Sequence, residues 1–399
     1  MNIEIRPVLT FRSLLYNFIM QATRAIIHLD RLRGNFQAIQ ERVGARHICV
    51  PIKADAYGHG AAVIARESLS AMAANPTGDV FFGVARVQEG ADLRESGINT
   101  PILLFSQPLP DEIPEIISKQ LICFVADAEF AWILNQAAGK AGIKLPVHLK
   151  IDTGMGRMGC ASEDAPALAQ NITGCTALEL AGTATHLAVS DSAAPEDIAY
   201  TRQQIARFTR ALDAIKALGL DPGIVHAANS GAIILHPHAW FDMVRPGIIL
   251  YGYKTAEETN AGLTLPPLHI EPVMELRTNV VLIKQVKKGE TISYGRIWTA
   301  PHDTSVAVLP VGYADGLPRL ASNKWQVLIN DCEYPLAGRI CMDQCMADIG
   351  PDSGVRRWDE VIIFGGPAPD AGDLAGRIGT IPYEICCNIN KRVPRVIKN

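Results

Sequence analysis

The sequence predicts an α/β chain: an N-terminal (β/α)8 TIM-type barrel followed by a C-terminal mostly-β domain. Three observations carry that prediction. From residue 47 to about residue 250, apolar runs of strand length alternate with segments of helix length. The strand-like runs are apolar throughout, as parallel strands covered on both faces are. Beyond about residue 260 the long helical segments give out, and strand-like runs follow one another with turns between them. The 399 residues suffice for two domains. A hydrophobic share of 48% with 20% charged residues is that of a globular chain with a large core.

The units follow in order. HICVPIK precedes AAVIARESL, FFGVAR precedes VQEGADLRESG, PILLF precedes DEIPEIISKQ, and LICFVA precedes DAEFAWILNQAAGK. PVHLKID precedes EDAPALAQNI, and LELAGTATHL precedes the longest helix, EDIAYTRQQIARFTRALDAIKALG. IVHAANS precedes GAIILHP, and MVRPGIILYG closes the series. About eight units is the repeat number of a closed barrel; periodicity alone leaves an open, doubly wound sheet as the alternative. The barrel is expected over residues 23–260 and the β domain over 261–399, joined around KTAEETNAGLTLPP. Residues 1–22 are expected to be an extension, either disordered or an edge strand of the β domain. Within them PVLTFRSLLYNFI is broken by Arg12 and Asn17, is too short to span a bilayer and precedes no clear cleavage site.

A net charge of −4 asks for no nucleic-acid or membrane partner. The nine cysteines are scattered, with Cys341 and Cys345 the one close pair besides the adjacent Cys386 and Cys387. They read as reduced thiols of a cytoplasmic protein, with no disulfide framework and no metal site.

Barrel chemistry gathers at the C-terminal ends of the strands. Lys53 and Tyr57 stand after the first run, Arg157 after the fifth, His186 at the end of the sixth, Asn229 and Ser230 after the seventh, Arg245 and Gly247 after the eighth. A lone lysine there is most often a surface residue with a buried stem. In a barrel mouth, desolvation and neighbouring cations favour its neutral amine, which suits a Schiff base. Pyridoxal phosphate is the commonest aldehyde held this way. Arg245 reads either as a salt bridge to Asp242 or another carboxylate, or as the partner of a pyridine nitrogen. An arginine only donates and stays charged, so it would keep that nitrogen unprotonated and weaken the ring as an electron sink. The chemistry it favours removes and returns one proton. Tyr57, Ser230, Gly247 and Ile248 read as a phosphate site, with helix capping by Ser230 as the plainer account. His186 reads as a ring stacked on the pyridine face or as a hydrogen-bonded core residue. Tyr294 in ISYG, Tyr313 in GYADG and the run GRICMDQCM receive no role from their residues alone; GYADG also reads as simple turn chemistry.

Taken together, VPIKADAYGHG, KIDTGMGRMG, THLAVSD, HAANSG, MVRPGIILYG, ISYG, LPVGYADGLPR, GRICMDQCMADIG and YEICC resemble the successive motifs of the pyridoxal-phosphate-dependent alanine racemases, from about Ala25 to Arg395. The resemblance implies interconversion of L- and D-alanine in the cytoplasm, supplying D-alanine for peptidoglycan. By it, Lys53 carries the cofactor and is the base for the D-enantiomer, and Tyr294 from the partner subunit is the base for the L-enantiomer. Racemisation needs one base on each face of the substrate. Arg245 pairs with the pyridine nitrogen, with His186 and Asn229 on the cofactor side. Tyr57, Ser230, Gly247, Ile248 and Tyr383 hold the phosphate. Arg157 and the Met342 N–H hold the substrate carboxylate, and Lys150 matches a lysine often carbamylated in the family. Asp191, Tyr313, Arg319, Arg339 and Asp343 match residues of the entrance channel. A homodimer is implied, each mouth closed by the partner's β domain. The stretch before Met20 and the small-residue run SDSAAP depart from the family pattern.

Three other readings share parts of this pattern. A fold-related decarboxylase sets a carboxylate on the pyridine nitrogen, where MVRPG sets an arginine. A racemase of broader specificity is usually exported, and CMDQCM suggests a small side-chain pocket. A single-domain pyridoxal-phosphate carrier lacks the second domain and its tyrosine.

Overall fold

The computed structural model describes residues 22–254 and 267–399. The expected extension, Ala22 apart, and most of the expected linker lie outside the described residues. The chain divides into two compact units, one of Leu29–Glu271 and one that joins the residues up to His28 to Pro272–Asn399.

In chain order the first part comprises β1 (Arg24–His28), α1 (Leu29–Val43), β2 (His47–Pro51), α2 (Ala61–Ala74), β3 (Val80–Val84), α3 (Val87–Glu95), β4 (Ile102–Leu104), α4 (Ile113–Ser118), β5 (Leu121–Val125) and α5 (Ala128–Ala141). There follow β6 (Leu145–Asp152), the short β7 (Cys160–Ala161), α6 (Ala165–Gly174), β8 (Leu178–Ala184), α7 (Pro195–Ala217), β9 (Ile224–His226), α8 (Ser230–Leu235) and β10 (Met243–Val244).

In the Leu29–Glu271 unit the parallel strands run in the order β5-β4-β3-β2-β10-β9-β8-β6, and a further pairing of β5 with β6 closes the ring. That pairing, Cys123 opposite Val147 through Val125 opposite Leu149, decides for the barrel over the open sheet. The strands are buried along nearly their whole length, β3 and β5 at every residue. Inside, Cys49, Phe81, Leu103, Ile122, Phe124, Ala184 and Met243 pack into one cluster supplied by strands from around the ring. Helix ends follow local chemistry. Asp127 caps α5 by accepting the Phe130 N–H, and Gly142 ends it at φ 68°. Proline opens α7, with Glu196 and Asp197 in its first turn.

The second unit adds β11 (Met274–Asn279), β12 (Leu282–Val286), β13 (Thr291–Ile292), β14 (Trp298–Thr299), β15 (Thr304–Leu309), β16 (Gln326–Ile329), β17 (Cys332–Pro335), β18 (Cys345–Gly350), β19 (Glu360–Phe364), α9 (Ala371–Ile378), α10 (Pro382–Asn388) and β20 (Arg395–Lys398). Its sheets run β17-β16-β19-β11-β1-β20 and β12-β15-β18, with a β13–β14 ribbon. Strand β1 therefore differs from the expectation that residues 23–28 belong with the barrel. It pairs antiparallel with β11, Ala25 opposite Leu276, and parallel with β20, Ala25 opposite Arg395. The physical reason is plain: a five-residue strand, RAIIH, can satisfy its backbone in any sheet, and only long-range pairing selects one.

Candidate active site

Strand β2 ends at Pro51, and the turn Lys53–Gly58 follows at once. Four of its residues have left-handed backbone: Ala54 (φ 51°), Asp55 (54°), Ala56 (55°) and Tyr57 (52°). For side chains with a Cβ this costs about 1–2 kcal/mol per residue, so outside contacts must hold it. Tyr57 is buried and its ring lies 5.0 Å from that of fully buried Tyr251. Tyr251 in turn donates its hydroxyl to the Pro51 carbonyl at 2.9 Å. Lys53 is half-buried, with Nζ 6.0 Å from the centre of the Phe105 ring.

Arg245, just past β10, is buried and hydrogen-bonded through both terminal nitrogens. Its Nη1 donates to His226 Nδ1 at 2.8 Å, and its Nη2 faces the carbonyls of Thr185 and Ala227 at 2.9 Å and His186 Nδ1 at 3.2 Å. No carboxylate bonds it among the described residues, and Asp242 instead accepts the Val225 N–H at 2.8 Å, so the salt-bridge account of Arg245 falls. Burial lowers its pKa to about 10, which leaves it charged at neutral pH. Since arginine only donates, His226 carries its proton on Nε2 and passes it towards His148 Nδ1, 2.9 Å away. His148 then holds its own proton on Nε2, an atom buried without a partner. Burial, then Arg245, pushes the His148 pKa down to about 3 and holds His226 and His186 well below the usual range. His226 and His186 are thus neutral acceptors of one cation, with His148 accepting in turn from His226. A Cβ at Gly182 would sit 2.6 Å from the His148 ring, so only glycine fits there.

The turns after β2, β9 and β10 build a small polar cradle. A Cβ on Gly247 would approach Tyr57 Oη to 3.2 Å and Ser230 Oγ to 3.3 Å, so these three groups face one space. Ser230 Oγ is buried and has no hydrogen-bond partner. The helix cap belongs to Asn229, whose Oδ1 accepts the Ala232 N–H at 3.1 Å, so the capping account of Ser230 is corrected. Asn229 also accepts Ser190 Oγ at 2.6 Å and donates to Leu187 O at 3.4 Å, so its side chain positions Ser230 and has little left to offer a ligand. Asp191 is exposed, and its backbone packs against Gly231. Ile248 is buried beside Gly247. His186 lies just past the end of β8, which stops at Ala184.

At the end of β6, Asp152 Oδ1 accepts the N–H groups of Gly154, Met155 and Gly156 at 2.9, 2.9 and 3.1 Å. These bonds fold the loop that presents exposed Arg157. Burial would raise the Asp152 carboxyl pKa, but the three donors and Lys150 hold it below the usual value. Lys150 is only 7% exposed, with its Nζ donating to Ile151 O at 3.2 Å. Burial first, then Arg245, lowers its pKa to about 7.

The remaining predicted residues lie in the other unit and are tied to one another there. Tyr294 is 70% exposed, in a short turn between β13 and β14. A Cβ on its neighbour Gly295 would lie 3.1 Å from Arg339 Nε, and Ser293 Oγ donates to Arg339 O at 2.6 Å. The Tyr313 and Ala314 N–H groups donate to Cys341 O and Met342 O, locking GYADG onto CMDQC. Met342 is 53% exposed. Arg392 bridges Asp315 and Asp343 at 2.8 and 2.9 Å. Arg319 opens a short turn whose Ser322 accepts the Ile340 N–H. Tyr383 sits in α10, half-buried.

Asp152, His226 and His148 escaped the reading of the sequence, although KIDTG and IVHAANS contain two of them. An Asp two residues before a glycine pair is the available signal for a carboxylate that gathers backbone N–H groups. No local signal marks a histidine as the acceptor of a distant arginine.

The match to known proteins covers both units. The family model described as alanine racemase, N-terminal domain, matches residues 27–255, and that of the C-terminal domain matches residues 273–397. The alanine racemase of Treponema denticola is 48% identical over 384 residues, covering 94% of this chain and 98% of that one. The structure of the Clostridium difficile enzyme of that name superposes with a TM-score of 0.85 at 36% identity, over 94% of this chain and 96% of that one. That of alanine racemase from D-cycloserine-producing Streptomyces lavendulae gives 0.86 at 32%, over 95% and 97%.

Proposed function

The chain belongs to the alanine racemase family, enzymes that interconvert L- and D-alanine, and on that premise we propose how its own residues divide the work. The cofactor is pyridoxal 5′-phosphate. When bound, it supplies an electron-withdrawing ring that makes the α-proton of an amino acid acidic. Two features of the barrel unit suit it: the orphaned Ser230 Oγ, and the cradle of Tyr57, Ser230 and Gly247 that a Cβ would fill. Tyr57, Ser230, Gly247, Ile248 and Tyr383 would hold its phosphate, Lys53 its aldehyde, and His186 one face of its ring.

Arg245 carries the reading. It is a cation with no carboxylate partner among the described residues, held by neutral histidines and two carbonyls. Set against a pyridine nitrogen it donates a hydrogen bond and gives up no proton. That restrains the ring's capacity to hold charge and favours prompt return of the proton to carbon. The decarboxylase reading needs a carboxylate at this place.

The proton then has two carriers. Lys53 Nζ takes or returns the α-proton on one face, and Tyr294 Oη does so on the other. Arg157 and the Met342 N–H orient the substrate carboxylate. Tyr294 is exposed on its own unit, and we place it in the mouth of a second copy of the chain, in a homodimer. Asp191, Tyr313, Arg319, Arg339 and Asp343 would line the way in. The nine cysteines are scattered along the chain, which suits a reducing compartment such as the cytoplasm, and no helix among the described residues is long and apolar enough to cross a membrane. The product would serve peptidoglycan synthesis.

The test is a racemisation assay over a panel of L-amino acids with purified protein and added cofactor. Optical activity of L-alanine will decay to zero fastest. Carbon dioxide release from lysine or diaminopimelate, without racemisation of alanine, would hand the site to a decarboxylase.

Lys150 adds a modification. With its pKa near 7, much of its amine is neutral at physiological pH, and a neutral amine adds carbon dioxide. The carbamate would place a negative charge where Arg245 and Arg157 now repel a positive one. Native mass spectrometry in bicarbonate will therefore show a gain of one carbon dioxide that Lys150→Met lacks. A wild-type mass indifferent to bicarbonate would leave Lys150 a plain amine.

A further inference from the structure

The left-handed Lys53 turn has hydrogen bonds of its own, among them Ala56 N–H to Ile52 O at 2.8 Å, and it also meets a side chain of the next βα unit. Four successive residues, Ala54 to Tyr57, none of them glycine, have φ between 51° and 55°. An L-residue run of this kind is costly, which gives every outside contact on it weight. At its start the Ala54 N–H donates to Glu89 Oε1 at 2.6 Å. Glu89 lies in the first turn of α3, and its other oxygen, Oε2, accepts the N–H groups of Ala85 and Arg86 at 2.7 and 3.0 Å. One carboxylate thus binds the turn after β2 to the turn after β3.

We propose that Glu89 is a positioning residue for Lys53, acting as an acceptor-only clamp that sets the turn from which Lys53 and Tyr57 reach the cofactor. This rests on the reading that those two residues hold pyridoxal phosphate. Three N–H donors converge on Glu89 from two loops. Only an ionised carboxylate offers enough lone pairs on both oxygens and no competing donor. A glutamine would turn its NH2 towards one set of N–H groups. An aspartate, one methylene shorter, can keep the Ala85 and Arg86 bonds that cap α3 but cannot reach Ala54 as well. The two roles of the side chain are therefore separable.

The experiment compares wild-type holoenzyme with Glu89→Asp and Glu89→Gln. Hydrogen–deuterium exchange of peptides covering residues 53–60 is read together with the Kd for pyridoxal phosphate, from absorbance titration of cofactor-stripped protein. In Glu89→Asp, exchange over 53–60 and the Kd should each rise about tenfold or more, the scale of one lost charge-assisted hydrogen bond. The melting temperature and exchange elsewhere in the barrel should stay near wild type. Glu89→Gln should loosen either residues 53–60 or the start of α3, according to which oxygen the NH2 replaces. Wild-type exchange over 53–60 in both variants overturns the proposal. So does a rise spread evenly over the barrel with a fall in melting temperature, since that marks a merely structural cap. If borohydride reduction of wild-type holoenzyme left Lys53 unlabelled, the cofactor reading would fall on its own, and the exchange data would still decide whether Glu89 clamps the turn.

Discussion

Lys53→Ala will abolish alanine racemisation, by about 10⁴-fold or more, because in the proposed division of roles it would remove the covalent anchor and one of the two bases at once. The visible absorbance that an amine-bound cofactor gives will disappear with it. The fold will not suffer, since Lys53 lies beyond β2 and is only half-buried. Neutral His186, held well below the usual histidine range by burial and by Arg245, adds no competing charge to the mouth. A small amine supplied in solution should restore part of the rate by replacing the missing base. An alanine variant that kept the absorbance band would show that the anchor is another residue.

Tyr294→Phe will slow racemisation by about 10²–10⁴-fold, the usual worth of a positioned general acid–base group. The loss in kcat/KM must be equal in the two directions, because L- and D-alanine have the same free energy and the equilibrium constant is one. The face of action shows itself in isotope exchange. In deuterium oxide the variant should still wash out the α-proton of D-alanine through Lys53, while that of L-alanine is retained. Wash-out from L-alanine at the wild-type rate would remove Tyr294 from the mechanism. Mixing Lys53→Ala with Tyr294→Phe chains should regain activity, since in a hybrid of the proposed dimer one mouth would receive an intact Lys53 and an intact Tyr294. A mixture as inactive as its parents would mean that each mouth is built from a single chain.

The parts of this site that could be read from the chain share one property. Lys53, Arg157, Arg245 and Ser230 each stand where an apolar run gives way to a polar turn, and barrel geometry puts such places on one rim. Glu89 shows why other parts could not. A glutamate in the first turn of a helix is ordinary dipole and capping chemistry. Its bond to Ala54 joins positions 35 apart, and nothing local announces it. Likewise, Ser230 reads as a cap until the structure shows Asn229 doing that work and leaving the serine hydroxyl without a partner. Asp242 is a sensible neighbour for Arg245 along the chain, yet its carboxylate turns to the Val225 N–H.

By itself, the sequence determined the alternation of strands and helices, the change to β structure near residue 260, and the residues at each strand end. These follow from the period of the hydrophobic pattern and from turn chemistry, both of which act over a few residues. Only the tertiary structure decided that β5 closes on β6, that β1 joins the sheet of the second unit, that neutral histidines hold Arg245, and that Glu89 meets the Lys53 turn. Each is a pairing between groups far apart in sequence. A strand edge, a guanidinium or a carboxylate carries no mark of which distant partner satisfies it. The choice is made when the whole chain buries its core and every buried donor must find an acceptor.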